Sequence, residues 1–290
     1  MQRARGEGAG PLNGGPETEA PSEETILAEL VERALAHPED HLGQFGSLLS
    51  AHQYLRLYRL WRAHVPGGAE ALDWGAGNGH FSYFLLRSGH RASGYSLLPG
   101  DYLRWMPATT SAYAFTGGDE SDPVRLPYAR ESFDAVASIG VLEHVRETAG
   151  SERASLTEIA RVLRPGGVFV CFHFPNRWSW IDWMSRRVPG KHTHPYRFTR
   201  GDIERLCAEC GLTLVQSARY GVLPRNFGYR LPAPLRRSRD LARAWDLLDR
   251  ILGAPLSPIA QNYCFVARKP SPTASSGGLT ERNAPKSSPS

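Results

Sequence analysis

The chain has 290 residues, 41% of them hydrophobic and 22% charged, which is enough apolar material for one sizeable core and excludes a disordered or fibrous protein. The formal net charge of +5 reads as solvated surface and does not by itself point to nucleic acid. Four cysteines (Cys171, Cys207, Cys210 and Cys264) are too few for a disulfide framework, and neither a signal peptide nor a bilayer-spanning run is visible, so a cytoplasmic protein is expected.

Residues 1–21, rich in Gly, Pro and Glu, are expected to form a disordered arm, and residues 270–290, rich in Ser and Pro, a disordered tail. Between them, residues 22–269 read as one domain. Thr25 to Ala36 is helix-like, and Ser47 to His64 reads as a second helical stretch. A strand over Ala71 to Trp74 runs into a glycine-rich turn, followed by a helix from His80 to Arg87. Strands are predicted near Ala92 to Ser96, Ala112 to Phe115 and Phe133 to Ile139, then a helix from Ser151 to Leu163. Pro165-Gly166-Gly167 reads as a turn before a strand over Val168 to Phe174. A helix from Asp202 to Cys210 stops at Gly211, with Thr199 and Asp202 as a capping-box variant. Leu212 to Ser217 and Tyr263 to Ala267 are expected as closing strands around an insertion, residues 221–258, that carries a helix from Ser238 to Leu252. Strands alternating with helices predict an α/β fold with a largely parallel sheet covered on both faces, whose ligands bind beyond the carboxyl ends of the strands.

The turn after the first strand reads Asp73-Trp74-Gly75-Ala76-Gly77-Asn78-Gly79. Its glycines allow close backbone approach to a ligand, and the following helix presents free amides there. The spacing is G-x-G-x-G, whereas the dinucleotide fingerprint G-x-G-x-x-G would put its last glycine on His80, which argues against NAD.

Three further segments follow in order: Asp122 with Leu126-Pro127-Tyr128; Phe133-Asp134-Ala135-Val136 leading to Gly140-Val141-Leu142-Glu143-His144; and Glu158 to Gly167. Together with the glycine turn, these make the chain resemble the class I S-adenosylmethionine-dependent methyltransferases, in the small-molecule branch that includes ubiquinone-biosynthesis enzymes. The resemblance covers roughly residues 69–210. It implies a Rossmann-like seven-stranded sheet with helices on both faces, the last strand antiparallel, and S-adenosyl-L-methionine as cofactor. It also implies that Gly75, Ala76, Gly77 and Gly79 cradle the methionine end, with Asp73 orienting loop and ammonium. Asp122 and Pro123 would lie beside the adenine, and Ile139 and Gly140 near the sulfonium. The acid that normally ends the second strand and accepts two bonds from the ribose diol is replaced by Ser96, with Asp101 the nearest carboxylate.

Methyl transfer from a sulfonium needs orientation and water exclusion, and a base only where the acceptor must lose a proton. His144, just past the fourth strand, is the candidate base, because imidazole can accept a proton near neutrality. Some relatives hold a metal through Glu residues here; the earlier of those carboxylates would fall at Gly140, so no metal is expected. His173, Asn176, Arg177 and Trp178 sit past the fifth strand as candidate acceptor contacts, with Trp180 and Trp183 completing an aromatic lid or a packed cap. His192 and His194 lack a third ligand nearby in sequence, and Cys207 and Cys210 read as buried small residues on one helix face. On the insertion helix, Leu241, Trp245, Leu248 and Leu252 share a face flanked by arginines. That face packs on the domain or lies on a membrane surface, which would suit a lipid-linked acceptor. Neither an Asn/Asp/Ser-Pro-Pro-aromatic motif nor a Pro-Cys pair is present, which argues against a nucleic-acid methyltransferase. The alternative to an enzyme acting on a small-molecule or lipid-linked acceptor is a catalytically silent cofactor-binding module, motivated by Ser96.

Overall fold

The computed structural model describes residues 20–97, 105, 112–191 and 193–271; Asp101, His192 and nearly all of both expected disordered ends lie outside them. Seven strands, β1 (Glu70–Trp74), β2 (Arg91–Ser96), β3 (Tyr113–Gly117), β4 (Phe133–Ile139), β5 (Leu163–Pro175), β6 (Thr213–Tyr220) and β7 (Asn262–Arg268), form one sheet in the order β3-β2-β1-β4-β5-β7-β6. The pairings from β3 through to β5 are parallel, and β7 runs antiparallel to both β5 and β6. This is the seven-stranded, Rossmann-like sheet that the resemblance implies. The strand order reverses between β1 and β4, which makes their carboxyl ends the place where a crevice opens.

Strand alternation divides the core. Ala71, Ala135, Val168 and Val170 face one cluster, with α1 (Glu23–Ala36), α3 (Tyr54–His64) and α4 (His80–Arg87). Leu72, Val136, Phe169 and Cys171 face the other, with α5 (Glu152–Val162) and, after the short α6 (Trp180–Ser185), α7 (Arg200–Glu209). Because both faces are covered, the central strands read as near-continuous apolar runs. Helix starts follow their caps: the Ser22 and Ser151 side chains accept from Thr25 N and Ala154 N, and Thr199 and Asp202 close a capping box. Gly211, at φ +73°, follows α7.

Three expectations shift. The stretch from Ser47 to His64 is two helices, α2 (Leu48–Ala51) and α3, parted at His52 and Gln53. Pro165-Gly166-Gly167 is not a free turn before a strand, because β5 already begins at Leu163 and these residues bulge between the Leu163–Phe133 and Val168–Ala135 pairs. They remain bonded to the edge beyond β7, where Gly166 N donates to Lys269 O (2.9 Å) and Lys269 N donates to Gly167 O (2.9 Å).

The third shift concerns the insertion. After the short α8 (Ala233–Arg236), its helix α9 (Arg239–Leu256) starts where the sequence suggests, capped by Ser238, but is rolled on its axis. Leu241, Trp245 and Leu252 are half-buried, whereas Leu248 is 44% exposed beside Leu247 (52%) and Ile251 (60%). Arg225, buried under α9, is the reason: a buried guanidinium needs carboxylates. Asp246 and Asp249 turn inward to meet it, at 2.6 Å and 3.6 Å. Among the described residues no helix is long and apolar enough to cross a membrane.

Candidate functional site at the carboxyl edge of the sheet

The glycine turn leaves β1 directly. Gly75, Gly77 and Gly79 all have positive φ (+82°, +49° and +78°), a region open to glycine at little cost. The amides of Gly75 and Ala76 both donate to Tyr95 O at 2.8 Å, and Gly79 caps α4. The glycines differ in what surrounds them. A Cβ at Gly75 would meet Val141 Cγ2 at 2.2 Å, so the β4 loop packs on this residue. Among the described residues, a Cβ at Gly77 would find nothing closer than Gly75 O at 3.7 Å, so none of them crowds the turn's middle.

Asp73, 1% exposed, supports the turn from below by accepting the Ser82 hydroxyl at 2.7 Å. Burial raises its pKa to about 6 against the opposing Ser82 bond. From the amino-terminal side, the Asn78 amide donates to His41 O and Gln44 Oε1, while the Trp105 indole donates to Asn78 O at 2.9 Å. These clamps were not read from the sequence; only their spacing to a folded turn reveals them.

Register brings the remaining cofactor candidates to the same edge. Trp74 pairs with both Tyr95 and Ser138, so Gly75, Ser96 and Ile139 stand at adjacent strand ends. Ser96 is half-buried, and its carbonyl accepts from Gly118 N. Gly140 has φ +70°, with its amide donating to Phe172 O. Asp122 is exposed, one turn beyond the end of β3, and its carboxylate accepts from Arg125 N; Pro123 beside it is half-buried. Asp119, directly after Gly117-Gly118, is a carboxylate nearer to the end of β3, and it accepts from Ser121 N and Oγ.

Just past Gly140 the structure gathers three residues that the sequence separates. One ligand atom each from Glu143, His144 and His194 lies within 4.8 Å of the others, and the two rings are 5.6 Å apart. His194, read from the sequence beside His192, instead joins Glu143 and His144 in space, and this donor set could hold a divalent metal ion. His144 Nδ1 is 2.8 Å from Glu147 Oε1. Glu143 is 3% exposed, its Oε2 has no hydrogen-bond partner, and burial pushes its pKa up to about 8.

His173 occupies a break in β5–β7 pairing with φ +71°, an uncommon conformation for a residue with a side chain. Its Nδ1 is 2.9 Å from the Tyr220 hydroxyl and its Nε2 3.3 Å from the Tyr54 hydroxyl. Burial lowers the pKa of His173 to about 4 and that of His80, which packs edge-on to Tyr54, to about 3, so both rings are neutral at physiological pH. Asn176 is fully buried, and its amide donates to Pro258 O and Ala260 O, stapling the insertion's return to β5. Arg177 turns toward a separate 790 Å3 cleft between α5 and α7, with Arg146, Tyr196 and Asp202. Trp178 is 61% exposed and Trp183 53%, whereas the Trp180 indole donates to Val222 O.

Residues 72–171 match the family model described as a methyltransferase domain. Among curated proteins, the chain is 32% identical over 122 residues to a ubiquinone/menaquinone biosynthesis C-methyltransferase from Desulfotalea psychrophila, covering 41% of this chain and 47% of that protein. It is 33% identical over 119 residues to a demethylmenaquinone methyltransferase from Tropheryma whipplei, covering 39% and 46%. The chain thus spans about half the length of these curated relatives. Among solved structures, it resembles a Burkholderia thailandensis 1,6-didemethyltoxoflavin-N1-methyltransferase with bound 1,6-didemethyltoxoflavin and S-adenosylhomocysteine (TM-score 0.51, 19% identity, 90% of this chain and 94% of that one). It also resembles a SAM-dependent methyltransferase from Archaeoglobus fulgidus (TM-score 0.51, 15% identity, 74% and 92%).

Proposed function

We propose that this chain, whose residues 72–171 are a methyltransferase domain on the Rossmann-like class I methyltransferase fold, transfers a methyl group from S-adenosyl-L-methionine to a small-molecule acceptor. The observation that carries the reading is the glycine turn at the switch point, whose middle at Gly77 is uncrowded by the described residues. Such a turn fits the methionine end of the cofactor: a backbone without side chains admits close approach, and buried Asp73 sits beneath it. Gly75, Ala76, Gly77 and Gly79 would hold that end, Ser96 the ribose, Asp122 and Pro123 or the nearer Asp119 the adenine, and Ile139 and Gly140 the reacting end. When bound, the cofactor supplies an electrophilic methyl on a sulfonium.

The protein's share is to position the acceptor and exclude water. His144 would take the acceptor's proton: Glu147 at Nδ1 favours the tautomer with its lone pair on Nε2. His173, Arg177 and Trp178 are carried forward as acceptor-side residues, and Asn176 as the residue that fixes their segment. The names of the curated relatives support a quinone-type ring as the first acceptor to try, and the exposed leucines of α9 support a lipid-linked one.

The test is a titration of the full chain with S-adenosylhomocysteine, with NAD as control, followed by turnover on demethylated quinones and simple phenols. Saturable binding of the first ligand alone, with turnover, is the expected result. Binding without turnover on any acceptor favours the second reading, a silent cofactor-binding module, which rests on Ser96 standing where a ribose-binding acid is usual. Absence of binding in a folded sample overturns both.

A further inference from the structure

A second cleft, of about 560 Å3, opens between α3, β6 and α9, within the size range of small-ligand sites. Five arginines line it: Arg56 and Arg59 from α3, Arg225 from the insertion's start, and Arg243 and Arg250 from α9. Three carboxylates share the wall, and each is already engaged. Glu24 meets Arg59 at 2.6 Å, Asp246 pairs with His52 and Arg225, and Asp249 pairs with Arg225. Arg56, Arg243 and Arg250 therefore have no carboxylate partner among the described residues, although the fold brings them to one cavity from helices nearly two hundred residues apart.

We propose that this cleft binds a phosphate ester, as a mono- or diphosphate group. A guanidinium fork pairs with two oxygens of its ligand. A carboxylate has only two oxygens and one negative charge, which serves a single fork; three unneutralised forks call for a group with more charge and more acceptor oxygens. The cleft ends at Tyr220, with the Arg56 guanidinium 5.6 Å from its ring centroid, and the Tyr220 hydroxyl bonds to His173. The phosphate would thus lie one phenol ring away from the carboxyl edge of β5. The shared chemistry has two sources, a soluble phosphorylated molecule or the headgroup of an acidic phospholipid. The site stands apart from the methyl-transfer reading, since its test needs no turnover.

The experiment titrates the full chain with pyrophosphate in 0.1 M salt and, in parallel, sediments it with phosphatidylglycerol or phosphatidylcholine vesicles. Three proteins are compared: wild type, Arg243→Gln/Arg250→Gln, and Arg200→Gln/Arg205→Gln, which removes the same charge from α7. Glutamine is a good helix former, so α9 should persist, and unchanged S-adenosylhomocysteine binding and melting temperature check this. Saturable pyrophosphate binding that weakens at least tenfold in the α9 variant only supports the site with a soluble ligand. Sedimentation with phosphatidylglycerol alone, lost in the α9 variant only, supports it with a headgroup. Binding to neither probe, or equal losses in both variants, overturns the proposal. If the α9 pair lowers the melting temperature, Arg56→Gln on α3 is to give the same tenfold loss, and its failure to do so also overturns it.

Discussion

The glycine turn and the cap around His144 and His173 meet at one edge of the sheet but are built on opposite terms. In the turn, function is assigned to backbone: three glycines at positive φ, amides bonded to Tyr95, and a buried Asp73 below. In the cap, side chains converge from distant segments: His194 on His144, Tyr54 and Tyr220 on His173, Arg225 on Asp246 and Asp249. A backbone device is written in consecutive residues, whereas a side-chain device depends on where the chain returns.

The sharpest way to break that comparison is inside the turn itself. Gly77→Leu is expected to abolish S-adenosylhomocysteine binding while the chain stays folded, since no described residue crowds that position and positive φ alone costs about 1 kcal/mol. Gly75→Ala is expected to destabilise the fold by about 3 kcal/mol, because its Cβ would meet Val141 at 2.2 Å and φ is positive as well. Denaturant melts with ligand titrations separate the two, and equal behaviour would mean that the turn's middle is not open to ligand.

On the cap side, His144→Ala is expected to lower kcat on a hydroxyl acceptor by about 10²–10⁴-fold with little change in melting temperature. A chelator is expected to leave wild-type activity unchanged; loss restored by Mn2+ would replace the proposed proton transfer by His144 with metal binding by Glu143, His144 and His194. Asn176→Ala should cost about 2 kcal/mol, because two buried carbonyls lose their donor. Unaltered stability with a raised KM would instead return Asn176 to the acceptor.

The last effect, smallest for any single residue, is the pH dependence contributed by the buried imidazoles. His80 and His173 have folded pKa values of about 3 and about 4, below the unfolded value of 6.5, because burial disfavours their charged forms. The unfolded chain binds more protons below pH 6.5, so their contribution is complete above that pH and drains away as pH falls toward 4. Together they should lower stability by about 2 kcal/mol between pH 6 and 5, and His80→Phe should roughly halve that slope in denaturant melts. An unchanged slope in that variant would show that His80 is not buried as a neutral ring.

The sheet was legible almost strand for strand, with β4 matching its expected bounds and Thr199 capping α7 as read. Strand and helix periods are local, and so are caps and glycine turns. Misreadings fall where tertiary forces compete with those local signals. The Pro165-Gly166-Gly167 segment looked like a turn because its partner, Lys269, lies about a hundred residues away. The face of α9 looked settled by its leucines, yet the charge of buried Arg225 outweighed them and left Leu248 to solvent.

The sequence by itself therefore determined the order of strands and helices, the glycine turn and the family resemblance, because each is carried by residues within a few positions of one another. Only the tertiary structure decided which side chains share a site. It joined His194 to Glu143 and His144, spent Asn176 on carbonyls of the insertion, and set three arginines of α3 and α9 around one cleft. Those arrangements depend on loop returns and on pairing buried charges, which no local period records.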